Sequence, residues 1–256
     1  MVVKCLLRLS LKEGIMAEIK KKPKRKLYFR ILTRLMRIKY KQPRFVHLGE
    51  PFTEGALILS NHEGTDAPMS LEIYCDTPVR MWGSYEMNAG LVKLYKYQTK
   101  IYYHEKKHWN LHLARLFCLI ASPLTWLFYS GFDLISIYRG TGLVRTMRES
   151  VKAIAKGDNV VIFPEDSTNG YLSELEGFHG GFVLLAELCY KQGIDVPIYV
   201  SYYRKSDRTY IFDAPIRYSE LLAQHGTRAD IAAYLCSRCN ELGKWTDNEN
   251  TTPALV

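Results

Sequence analysis

Along residues 44–212, short apolar runs alternate with stretches in which apolar residues recur every three or four positions. The runs at 45–48, 56–59, 79–82, 134–138, 160–163 and 196–202 have strand length and strand composition, and 210–212 adds an edge strand of three residues. Helical spacing follows them. Thr141 is placed as an N-cap, Val144, Met147, Val151 and Ile154 share one face, and Gly157 ends the segment. Phe178, Phe182, Leu185 and Cys189 share another face, and a last helix begins near Thr227, with Asp230 three residues on as in a capping box. Strands alternating with helices predict an α/β fold: a single domain over 44–256 with a mostly parallel central sheet flanked by helices.

The segment before that domain, 1–43, reads differently. Plotted at 100° per residue from Leu27 to Lys41, Leu27, Tyr28, Ile31, Leu32, Leu35 and Ile38 fill one arc and Lys26, Arg30, Arg34, Arg37 and Lys41 the opposite one. This predicts a basic amphipathic N-terminal helix suited to a lipid interface. Charge sharpens the picture. The chain carries a formal +9, yet residues 20–44 hold seven Lys, five Arg and no acid, so the remainder is net −3. An anionic membrane surface is the expected partner; a helix docked on its own domain and a phosphate-tracking arm are the rivals. Few aromatics interleave for base stacking, and no nucleic acid is expected.

The longest uncharged stretch, 116–132, has 17 residues and is broken by Pro123 and Gly131. A spanning helix needs about 20 apolar residues. Buried helices or an interfacial hairpin are therefore expected, with no integral span. The six cysteines are scattered and no signal-peptide pattern opens the chain, which favours a reducing cytosol and a peripheral place on the cytoplasmic face of the membrane. Cys236 and Cys239 form a CxxC, but Ile231, Leu235, Cys239 and Leu242 step along one helical stripe, so a core role is expected and no metal.

Two loops follow strand-like runs directly, where α/β sheets present functional groups. The first is Ser60-Asn61-His62-Glu63-Gly64-Thr65-Asp66; the second is Pro164-Glu165-Asp166-Ser167-Thr168-Asn169-Gly170. A His and an Asp four positions apart can share one side of a helical turn, making His62 a competent general base with Asp66 as its orienting carboxylate. A metal-hydrolase reading of His62, Glu63 and Asp66 is weaker, because Gly64 and Thr65 are poor helix-interior residues and no third ligand has an evident position.

The order of segments resembles the glycerolipid acyltransferase family, typified by 1-acylglycerol-3-phosphate acyltransferases. Asn61, His62 and Asp66 are similar to its first block. Leu134-Ile135-Ser136-Ile137-Tyr138-Arg139 resembles the second, Phe163-Pro164-Glu165 the third and Val196-Pro197-Ile198 the fourth. The resemblance implies a role in phospholipid biosynthesis: direct transfer of an acyl group from acyl-CoA or an acyl carrier protein to a glycerolipid hydroxyl, without a further cofactor. His62 and Asp66 would be catalytic, and Arg139, Glu165, Ser167 and Thr168 would bind substrate. Two departures stand out. Three residues separate His62 from Asp66 where the family usually has four, and Asp166-Ser167-Thr168 replaces the family's Gly-Thr-Arg. A lipid-surface binding protein that keeps the fold without the chemistry is the alternative.

Overall fold

The computed structural model describes residues 26–52, 55–138, 140–166 and 171–247. Its centre is an eight-stranded mixed sheet ordered β1-β7-β6-β2-β5-β3-β4, with β8 also on β6. In chain order the strands are β1 (Arg44–His47), β2 (Leu57–Ser60), β3 (Val79–Ser84), β4 (Ile135–Ile137), β5 (Asn159–Ile162), β6 (Pro197–Arg204), β7 (Thr209–Phe212) and β8 (Ile216–Arg217). Adjacent pairs from β6 through β2, β5 and β3 to β4 are parallel; β7 turns back antiparallel on β6 and carries β1 parallel to itself. The α/β class with a mostly parallel sheet is the one expected from the alternation. The two-residue β8 was not.

Alternation along each strand sends successive side chains to opposite faces, and both faces are covered. Leu57 and Leu59 of β2, Val160 and Ile162 of β5, and Ile198, Val200 and Tyr202 of β6 join one core. That core is closed by α6 (Leu143–Ala155), α7 (Gly181–Tyr190) and α9 (Arg228–Lys244). Ile58, Val161, Tyr199 and Tyr203 face the other way, against Ala67 and Leu71 of α2 (Asp66–Tyr74). The remaining helices are α1 (Leu27–Lys39), α3 (Tyr85–Asn88), α4 (Leu91–Tyr97), α5 (Leu111–Tyr129) and α8 (Tyr218–His225), with a π-helical stretch at Gln98–Lys106. Thr227 caps α9 by accepting from the Asp230 N–H, and both Cys236 and Cys239 are buried in the core. Phe178 lies outside the helix it was assigned to: it pairs with Glu165 in an isolated bridge, and α7 begins only at Gly181. Thr141 likewise precedes its helix, in a 3-10 turn.

The uncharged stretch departs most from expectation. It is neither buried nor a hairpin but most of one helix, α5, whose most apolar 18-residue window is only 17% buried. By length and composition alone it could cross a membrane. Two polar residues within it are satisfied in place: Ser122 donates to Gln98 Oε1 at 2.6 Å and Thr125 to the Ala121 carbonyl at 2.8 Å. Pro123 sits within the helix without ending it.

In α1 the apolar arc is mostly exposed, at Leu27, Ile31, Leu35 and Ile38, and the helix is held instead by residues beside that arc: Phe29 is buried and Met36 packs near Tyr40. Residues 20–25 of the basic arm lie outside the described residues.

Candidate active site

Strand β2 delivers the first loop. Its last residues are locked from the β6–β7 side: Ser60 Oγ and Tyr210 Oη are 2.6 Å apart, and Ser201 Oγ donates to the Leu59 carbonyl at 2.9 Å. Asn61 then prolongs the ladder with its side chain. Its Nδ2 donates to the Tyr203 carbonyl at 3.0 Å and its Oδ1 accepts from the Tyr203 N–H at 2.7 Å, so a primary amide stands in for a backbone peptide against β6. After His62 the chain reverses through two left-handed residues, Glu63 at φ 41° and Gly64 at φ 68°, and α2 starts at Asp66. The glycine makes this short turn affordable, because no Cβ opposes a positive φ.

The second loop meets the first at the end of the neighbouring strand. Glu165 Oε2 accepts the His62 backbone N–H at 2.8 Å, and the carboxylate also accepts from the Leu172 N–H. At 7% exposure it is buried, and burial pushes its pKa above the usual carboxylate range; the two amide bonds pull the other way and Glu63 adds a smaller upward push. The second loop is itself closed by the Asp166 N–H to the Gly177 carbonyl at 3.0 Å and by the His179 N–H to the Pro164 carbonyl at 2.8 Å. Glu165 thus braces one loop against the other.

The imidazole of His62 is half-buried between two rings, Phe163 and Tyr171, each with its centroid 5.0 Å away; Tyr171 is stacked on it. Aromatic packing at this range fixes the plane of the ring. Asp66 is placed differently from the expected dyad. Its Oδ2 lies 2.8 Å from Lys205 Nζ, at the β6–β7 turn, and its contacts among the described residues include no hydrogen bond to the imidazole. That carboxylate raises the pKa of the Lys205 ammonium. Asp66 begins α2 directly after the three-residue turn and faces the hairpin. Between them, Thr65 Oγ1 bonds Tyr40 Oη at 2.9 Å, and Tyr40's carbonyl accepts from Tyr74 Oη at 2.7 Å.

A group of phenols lies beyond the imidazole. Burial first, then the hydroxyls of Tyr40, Tyr102 and Tyr97, push Tyr129 up to about 12, and Tyr171 is raised by burial, by Glu165 and by Tyr102 and Tyr97. Tyr171 was not singled out from the sequence, although it directly follows the second loop; Lys205 and the other tyrosines come from distant segments without local signal. The second block reaches the sheet as β4, beside β3, but Arg139 lies outside the described residues, as do Ser167 and Thr168. Among the described residues no group of three or more His, Cys, Asp or Glu is arranged to hold a metal. No protein-family model and no curated protein matches the chain.

Proposed function

We propose that the protein is an acyltransferase acting at a membrane surface, moving a fatty acyl group from an acyl thioester to a hydroxyl of a lysophospholipid or related glycerolipid. The observation that carries this reading is the junction of the two loops: Glu165, at the end of β5, grips the backbone of His62, at the end of β2. Two segments a hundred residues apart, each singled out by the resemblance, support one imidazole at the carboxyl ends of parallel strands, where α/β folds do their chemistry.

His62 takes the proton of the acceptor hydroxyl as its oxygen attacks the thioester carbonyl. Collapse of the tetrahedral centre breaks the C–S bond, and the proton passes from the imidazolium to the departing thiolate. Asp66 supports the imidazolium once Lys205 gives up its carboxylate, and an anionic headgroup is the natural replacement partner for that ammonium. Arg139, Ser167 and Thr168 remain proposed substrate contacts on the strength of the resemblance. The basic face of α1 holds the molecule on the cytoplasmic side of an anionic membrane.

Incubation with labelled acyl-CoA or acyl carrier protein and a lipid extract, followed by mass spectrometry, should reveal a new ester and name the acceptor. His62→Ala should lower the rate by about 10² to 10⁴, roughly 3 to 5 kcal/mol on the barrier, with unfolding unchanged. A folded His62→Ala that turns over normally removes His62 from the mechanism. The Asp66–Lys205 pair favours one second reading, a lipid-surface binding protein without chemistry; vesicle binding with no thioester consumed across the extract would establish it.

A further inference from the structure

The largest feature that acyl transfer leaves unexplained is the outer face of α5. Leu113, Leu116, Phe117, Leu119, Ile120 and Leu124 are all exposed, Ile120 at 74%, and they fill about half of the helix circumference at 100° per residue. Exposed apolar patches of this extent mark a binding face. We propose that α5 lies in the plane of an anionic membrane with this face sunk among acyl chains, and that α1 and α5 form one lipid-docking unit. The inference deepens the membrane association proposed above, which rested on α1, and it holds whether or not His62 transfers acyl groups.

Three observations identify the occupant. First, the two helices are locked together. Phe29 of α1 meets Phe128 and Phe132 at 5.7 and 5.6 Å between centroids, and Tyr28 Oη bonds Ser130 Oγ at 2.9 Å. A Cβ on Gly131 would come within 1.9 Å of the Phe29 ring, so only glycine allows this approach. The exposed aliphatics of α1 and of α5 therefore belong to one packed body. Second, Arg30, Arg34 and Arg37 flank the exposed sector of α1. Each cation near an anionic surface contributes about 1 kcal/mol. A second copy of the chain would bring the same cations face to face, whereas anionic headgroups neutralise them.

Third, the opposite face of α5 is already used. Ala114, Cys118 and Ser122 are buried at four-residue spacing against α4 and the π-helical stretch, which carry Lys93, Lys96 and Lys100. A crossing orientation would draw those lysines toward hydrocarbon, at a cost of about 2.5–3.5 kcal/mol for each one at the bilayer centre. Lying flat keeps them wet. Trp109 and Trp126, both partly exposed, then sit near the two ends of the helix at headgroup depth, where tryptophan is favoured.

Flotation with sealed phosphatidylglycerol–phosphatidylcholine vesicles tests this on the full chain. The wild type should float, and Leu116→Asp with Ile120→Asp, both at exposed positions, should lower vesicle affinity at least tenfold at unchanged thermal stability. Brominated lipids should quench Trp fluorescence of the wild type, a readout independent of whether the double variant folds. Orientation is read from His112→Cys and Ser130→Cys, each in a Cys5→Ser background, with an impermeant maleimide. Reaction of both from outside supports the in-plane helix. Protection of one end until detergent is added means that α5 crosses, and overturns the proposal. A wild type that ignores vesicles and sediments as a dimer overturns it in favour of a second copy. The acyl-transfer assay reads a different quantity, so either reading can fail alone.

Discussion

At the scale of single residues, the site is governed by which polar group each carboxylate holds. Lys205 occupies Asp66, so Lys205→Met, which keeps the stem and removes the charge, should raise turnover on an uncharged acceptor several-fold while Asp66→Asn lowers it. Equal turnover in both variants would reduce Asp66 to a loop brace. Glu165 yields a prediction on stability. Its folded pKa is raised, chiefly by burial, so the folded state binds its proton more tightly than the unfolded chain. That stabilisation is full below the ordinary carboxylate pKa and is lost as pH rises through the raised value. Glu165→Gln does not titrate. In urea unfolding, the stability of the wild type relative to Glu165→Gln should therefore fall from pH 4 toward pH 7, and parallel curves would contradict the burial argument.

Whole elements show what a linear chain can and cannot disclose. The seven longer strands were legible because a parallel strand buried on both faces is a continuous apolar run, as in Leu57, Ile58 and Leu59. His62 was legible as well, since it directly follows such a run. Its surroundings were not: Lys205 approaches Asp66 from a hairpin 139 positions later, and Asn61 copies a peptide group toward Tyr203, contacts that no local spacing encodes. The helix α5 misled for a different reason. Apolar content was read as buried helices or an interfacial hairpin, but the segment is one helix whose hydrophobic face points outward, and hydropathy alone does not tell a buried face from an exposed one. Gly131 tests the α1–α5 packing directly. Gly131→Ala forces Phe29 aside and should cost about 1–3 kcal/mol, with faster proteolysis in α1 than in the sheet core; unchanged stability and cleavage would show that the helices are not held by this contact.

For the molecule as a whole, charge is separated along the sequence. The twelve cations within residues 20–44, against a net −3 for the rest of the chain, favour an anionic surface, and added salt should weaken that attraction. The hydrogen bond between the Tyr40 and Thr65 hydroxyls links two parts of the proposal, because Tyr40 caps α1 and Thr65 sits inside the three-residue turn between His62 and Asp66. If α1 docks on lipid, this bond joins the docking helix to the proposed catalytic loop. Tyr40→Phe should leave turnover of a short-chain, monomeric acceptor unchanged and abolish the acceleration seen when that acceptor is presented on vesicles; equal loss on both would assign the hydroxyl to stability alone. Docking would then set the pace of the reaction as well as its place, so that a molecule adrift in solution idles.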